Sequence, residues 1–332
     1  MQVNPRVRGC LGRGRALWSR RVGATETAAG QSRHHHRGLK RVVPWVMTAI
    51  IFALIFRRVP IAKVVEALRG VHLGTYLAIM MPYSVAYLLV DTFCLTRVLN
   101  WFNTKIAYRD VLPIRATTYL LTLLNSPLGQ GGVALYLHRR EGIPFLEVAS
   151  SMLFLMFVEL YQLVFFSSLG AAMAPHRIES SLIWVYCALY AYLAVHLLLF
   201  RGGAGWIKKP KAVAMLRSFR MASPLHYLLL LIFKAPNFLM ATVVYYFALQ
   251  AFGIHLPYQQ LFMFLPVIFL SAALPIGVAH LGAPQYFWLH FFGDQAPEAN
   301  LLAFSLAAHV TFMVMNAALG LLFLPRATRE LA

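Results

Sequence analysis

The sequence is short of acids, short of cysteine and short of charge altogether. Eleven Asp and Glu stand among 332 residues, against 30 Lys and Arg. Charged residues make up 12% of the chain, where a soluble domain of ordinary composition carries about 25%. With 60% hydrophobic residues and a mean hydropathy of +0.65, that deficit excludes an ordinary soluble fold. The cysteines are Cys10, Cys94 and Cys187, odd in number and far apart, so they offer neither a disulfide framework nor metal-ligand spacing. Cys94 and Cys187 lie in apolar segments, where they read as small buried hydrophobes.

Catalytic motifs are missing too. The "GQGG" at Gly129–Gly132 is not followed by Gly-Lys-Ser/Thr, so it is no phosphate loop and gives no basis for ATP hydrolysis. There is no HExxH, CxxC or GxSxG, and no paired carboxylates in a polar loop. No catalytic residue, metal site or cofactor is assigned on this reading, and the chain is not expected to be an enzyme. Short alternating segments of the kind that build a β-barrel are absent. Nothing at the N-terminus reads as a secretory signal, because the first apolar core comes late and no small-residue cleavage site follows it.

What is present is a series of apolar blocks, at about 42–56, 73–98, 111–125, 146–173, 181–200, 225–252, 258–291 and 300–324. A helix needs roughly 20 such residues to cross a bilayer. The pattern predicts an all-α polytopic membrane protein: a disordered basic tail over 1–41, a transmembrane domain over 42–325 and a short C-terminal tail over 326–332. The first 41 residues hold ten Arg and Lys against Glu26. They suit a cytoplasmic tail touching anionic lipid headgroups; a start codon placed too early would leave a similar tail, and nothing supports a nucleic-acid partner.

Two blocks do not fit a single crossing. The block at 111–125 is short and runs into "NSPLGQGGVALYLHRREG", with Asn125, Pro127, Gly129, Gly131 and Gly132 where lipid should be. The block at 258–291 is too long for one pass and is interrupted by "PIGVAHLGAPQ", Pro275 to Gln285. Lys and Arg concentrate on cytoplasmic loops. If 111–137 dips in and returns, then Arg97, Lys105, Arg109, Arg115, Arg139, Arg140, the basic loop at 201–224 and the C-terminus all fall on one side. Six full crossings and two re-entrant hairpins opening to opposite faces follow. The multi-pass chain would sit in a cell (inner or plasma) membrane with both termini cytoplasmic. The loop at 57–71 resists, with Arg57, Arg58, Lys63 and Arg69 on the other side, and reads as an interfacial amphipathic helix. Interrupted segments in corresponding positions of two halves mark transporter sites near the bilayer midplane, and an inverted repeat is expected.

Ionisable residues inside spans default to function. Asp91, Glu159 and Lys234 are three such residues, with Asn237 just past the Lys234–Pro236 kink. Asp91 has Arg97 within reach along its own helix, and Glu159 and Lys234 are placed to pair with each other. Arg139 and Arg140 suit an anionic phosphate, while Asn125, His280 and Gln285 offer hydrogen bonds to a headgroup. The expected path is therefore Asn125, Gly129, Gly131, Gly132, Arg139, Arg140, Glu159, Lys234, Asn237, His280 and Gln285.

The stretch "NSPLGQGGVALYLHRREGIPFLEVASSMLFLMFVELYQL" resembles a segment of the lysylphosphatidylglycerol synthase transmembrane region family, the flippase-like integral membrane proteins, and "LPIGVAHLGAPQYFWLHFFG" resembles that family's second signature. The resemblance runs over roughly residues 40–325. It departs at His280 in place of a Gly, at Gln285 in place of a Glu, and at Met156, where an Arg usually stands three residues before the acid matched by Glu159. The soluble aminoacyl-transferase domain of the larger relatives is absent. What the resemblance implies is lipid handling without lysyl-lipid synthesis: translocation of a phospholipid or lipid-linked intermediate, with membrane lipids, chiefly of anionic headgroup, as partners. Alternatives are an accessory protein for a partner lipid or glycan synthase, and a membrane-embedded lipid-dependent transferase.

Overall fold

Apolar backbone can satisfy its N–H and C=O groups in lipid as helix, and every regular element among the described residues is a helix. The computed structural model describes residues 50–124, 126–173, 180–201, 210–272 and 281–329. The chain is an all-α polytopic membrane protein. After α1 (residues 50–58) come α2 (Ile61–Arg69), α3 (Leu73–Phe102), α4 (Tyr108–Leu124), α5 (Ser126–Glu141), α6 (Phe145–Met173) and α7 (Ser180–Arg201). The rest are α8 (Pro210–Met215), α9 (Arg217–Met221), α10 (Pro224–Gln250), α11 (Tyr258–Ala272), α12 (Ala283–Phe292) and α13 (Glu298–Arg329). Five helices are long and apolar enough to cross a membrane: α3, α6, α7, α10 and α13. The sixth expected crossing, 42–56, lies mostly outside the described residues, as does the tail over 1–41.

Both short segments form hairpins. At 17 and 16 residues, α4 and α5 are about 25 Å long, less than a hydrocarbon core of roughly 30 Å. They run antiparallel: Thr118 and Thr122 of α4 face Gly129 of α5, and at the mouth Arg140 lies 3.8 Å from Asp110. In the second hairpin Phe264 of α11 stacks on Phe291 of α12, with centroids 4.3 Å apart. The two open to opposite faces. On the first face the end of α3 meets the start of α10 through Phe102 and His226, and Arg326 of α13 donates to the Arg109 carbonyl beside the α4–α5 mouth. On the second face Tyr76 of α3 meets Phe252 just past α10, and Asn300 of α13 donates to the Phe252 carbonyl.

The packing repeats in a crossed pattern. The halves are α3, α4–α5, α6 and α10, α11–α12, α13, and their opening helices α3 and α10 lie together. Helix α4 docks on α13 of the other half, and α11 docks on α6. Each docking surface is made by a glycine. A Cβ on Gly320 would stand 2.7 Å from the Ala116 carbonyl, and one on Gly170 would stand 2.6 Å from the Met263 Cα.

One expectation is corrected. The stretch after Asn125 is not an unwound break: α5 is helical from Ser126, with Pro127 in its first turn, where proline costs little. Gly129 and Gly132 serve packing instead, since a Cβ on either would collide with Thr122 or Leu121 of α4, whereas Gly131 faces nothing within 4 Å. At the other end of the chain, α13 continues as helix to Arg329. At 57–71 the interfacial segment is α2, which buries Val64 and leaves Ile61, Val65 and Leu68 exposed, while Arg58 is neutralised by Glu298 of α13.

Candidate functional site: a ladder of charges at mid-depth

Four helices bring four ionised side chains into one line. Arg115 of α4 donates from Nε to Asp91 Oδ2 of α3 at 2.5 Å. Lys234 Nζ of α10 lies 3.6 Å from Asp91 Oδ1 and 2.7 Å from Glu159 Oε2 of α6. The approach to Glu159 is a close ion pair without hydrogen-bond alignment. Tyr119, one turn beyond Arg115, donates its hydroxyl to Asp91 Oδ2 at 2.9 Å, and Arg115 also reaches Gln130 of α5 at 3.5 Å.

The ladder is deep. Lys234 is ten residues into α10, about 15 Å along its axis, and Asp91 is eleven residues before the end of α3, about 17 Å. Glu159 is the midpoint of α6, fourteen residues from either end. Two acids and two bases cancel, which is how charge survives where isolated ions would cost several kcal/mol each. Exposure is uneven along it. The side chains of Asp91 and Lys234 are 0% and 1% exposed and that of Arg115 is 8%, but Glu159 is 41% exposed. The line thus runs from a sealed end in the first hairpin to a carboxylate at the molecular surface.

Around the ladder, Asn237, one turn from Lys234, is buried with neither amide atom hydrogen-bonded, and Asn316 of α13 has an unpartnered Oδ1. Tyr83 and Tyr87 of α3 cluster with Phe312 of α13, at centroid separations of 5.0 to 6.1 Å. Outside it, an apolar groove of about 440 Å³ runs between α3 and α10 past Leu89, Phe93, Phe233 and Pro236.

The expected path is only partly assembled. Glu159 and Lys234 pair as their sequence positions suggested, and Asn237 joins them. Asp91 does not pair with Arg97, whose guanidinium sits over the Phe93 ring at 4.9 Å. Arg139 is exposed at the first face, but Arg140 lies against Asp110 and Glu141, at 3.8 and 3.3 Å, rather than waiting for a phosphate. Gln285 is fully buried in the second hairpin and accepts from the Gly282 N–H at 2.6 Å, closing the first turn of α12 where Gly282 has a φ of 104°. Asn125 and His280 lie outside the described residues.

Arg115 and Tyr119 are the residues that sequence reasoning missed. Arg115 stands close in sequence to the basic first-face loop and was counted there. The signal for it was its place inside the apolar run 111–125. Among the described residues no three His, Cys, Asp or Glu converge as metal ligands. No family model matches the chain, and no curated protein matches it.

Proposed function

We propose that this integral membrane protein handles lipid, moving a phospholipid or lipid-linked intermediate between leaflets. The observation that carries the reading is the ladder Arg115–Asp91–Lys234–Glu159, which reaches the molecular surface at mid-depth as a carboxylate. A charge retained at that depth against a cost of about 2.5–3.5 kcal/mol marks a route for polar groups. The crossed hairpins supply two inward-reaching walls, one from each face, and a lipid headgroup passing between them keeps its acyl chains in the bilayer. The resemblance to flippase-like membrane proteins points the same way. The first face, with Arg97, Lys105, Arg109 and Arg139, is cytoplasmic by its basic charge, and Arg139 meets phosphate there; the basic N-terminal stretch is inferred to lie on that side too. The membrane is the cell's inner or plasma membrane.

A second reading is favoured by the neutrality of the ladder. Four helices pinned by compensated ions would also suit a scaffold for a partner lipid or glycan synthase.

The test reconstitutes the full chain into liposomes carrying a labelled lipid in both leaflets and adds a membrane-impermeant quencher. Quenching beyond about half, the fraction in the outer leaflet of a bilayer, and its loss in Lys234→Met and Glu159→Gln supports translocation. Quenching that stops at half for every lipid tried supports the scaffold.

A further inference from the structure

The ladder ends unequally, and the inequality bears on which headgroup it receives. Both cations are sealed: Lys234 is held between Asp91 and Glu159, and Arg115 lies against Asp91 and Gln130. At mid-depth, then, an arriving headgroup meets no accessible cation among the described residues of the ladder. It meets the Glu159 carboxylate, of which Oε2 faces Lys234 while Oε1 has no hydrogen bond or ion pair among the described residues. One turn from Lys234 lies the Asn237 amide, buried and unpartnered among the described residues.

We propose that Glu159 receives the ammonium of a zwitterionic phospholipid, so that the lipid handled carries an alkylammonium headgroup rather than a purely anionic one. This rests on the translocation reading above.

Three features support it. Lys234 itself demonstrates that the space between Asp91 Oδ1 and Glu159 Oε2 accommodates an ammonium ion. A carboxylate with a free oxygen attracts a cation and repels a phosphate, and in a low-dielectric setting both effects are strong. Tyr83, Tyr87 and Phe312 form an aromatic cluster between α3 and α13, and aromatic faces favour alkylammonium groups over anions.

The experiment uses the full chain in phosphatidylglycerol vesicles with trace lipids labelled on an acyl chain, so that ethanolamine, choline and glycerol headgroups stay intact. The ethanolamine and choline lipids are expected to become quenchable about tenfold faster than the glycerol lipid, as one charge-assisted contact allows. Glu159→Gln is expected to remove the preference, and Glu159→Asp to keep it. Ethanolamine outpacing choline assigns the contact to N–H hydrogen bonding; equal rates assign it to charge and aromatic faces. One rate for all three headgroups, or equal slowing of all by Glu159→Gln, overturns the headgroup assignment while leaving translocation standing. If the wild-type chain moves none of them, translocation falls instead. Mass spectrometry of lipid retained on the purified protein then decides the site: enrichment of ammonium lipids that Glu159→Gln abolishes upholds it, and any other pattern overturns it.

Discussion

The two hairpins share an architecture and differ in what they carry. Both are antiparallel, both dock on a glycine of the opposite half, and they open to opposite faces. The first presents Arg115 and Tyr119 to Asp91, with Gln130 behind Arg115. The second presents Phe264, Trp288, Phe291 and Phe292, and at the α12 start Gln285 accepts from the Gly282 N–H through Oε1 while its Nε2 has no hydrogen-bond partner among the described residues. One hairpin carries buried charge and the other aromatic packing. A two-fold frame fixes where a hairpin goes but leaves its side chains free to diverge.

The sharpest break in that comparison is at Asp91. It is shared by Arg115, Lys234 and Tyr119, so Asp91→Ala strands the buried Arg115 and leaves Lys234 to Glu159 alone. Removing one partner of a buried ion pair costs about 3–5 kcal/mol, and the variant is expected to lose most of its folded yield, or to melt far below wild type in detergent. Asp91→Asn, which keeps shape but not charge, should fall between. An unchanged melting temperature for Asp91→Ala would show that the ladder does not hold the first hairpin in place.

The docking glycines come next. Gly320→Val places carbon against the Ala116 carbonyl and Gly170→Val against the Met263 backbone. Neither obstacle is a flexible side-chain tip, so each should cost about 1–3 kcal/mol as an overpacked contact. The expected difference lies in function. Gly320→Val shifts α4 and with it Arg115, disturbing transport beyond its thermal effect, whereas Gly170→Val acts on stability alone. Equal transport by two variants matched in melting temperature would sink the division of labour.

Much of this was legible from residues. Proline, glycine and length located both hairpins, and the charge of the 201–224 loop fixed which way the first one opens. The Glu159–Lys234 pair was legible because two opposite charges midway along separate spans have few other partners. Arg115 was not legible, for a local reason. Asn100 clamps Ile106 from both sides, accepting from its N–H at 2.7 Å and donating to its carbonyl at 3.2 Å, and the Tyr108 hydroxyl donates to the Leu89 carbonyl. The 103–107 connection therefore folds back along α3, and α4 starts already inside the bundle. Counted from the loop, Arg115 is near the face; counted from the Tyr108–Leu89 contact, it reaches Asp91. The glycines misled in the opposite direction. Gly129 and Gly132 suggested unwound backbone and instead bring α5 against α4, because sequence alone does not distinguish a glycine needed for its φ from one needed for its missing Cβ.

A smaller effect is expected at Gln285. Its side chain supplies the bond that the Gly282 N–H would otherwise lack at the α12 start, so Gln285→Leu, similar in size, should cost about 1 kcal/mol and leave headgroup preference intact. A loss of transport out of proportion to that thermal shift would return Gln285 to the lipid path and make the second hairpin a working wall rather than a support.

The smallest effect belongs to Arg58 and Glu298 on the second face. Arg58 Nε lies 2.9 Å from Glu298 Oε2, but the side chains are 61% and 26% exposed. Water and salt screen such a pair, and exposed pairs contribute about 0.2–1 kcal/mol. Arg58→Gln should lower the melting temperature slightly at low salt and not at all at high salt. The contrast with Asp91 is the useful part: the same kind of bond, moved from the face to mid-depth, should change from a salt-sensitive trim to a requirement. If Arg58→Gln proves as damaging as Asp91→Ala, burial is not what gives the ladder its weight. The pinning of α1 to α13 would then be the element on which the crossed hairpins depend.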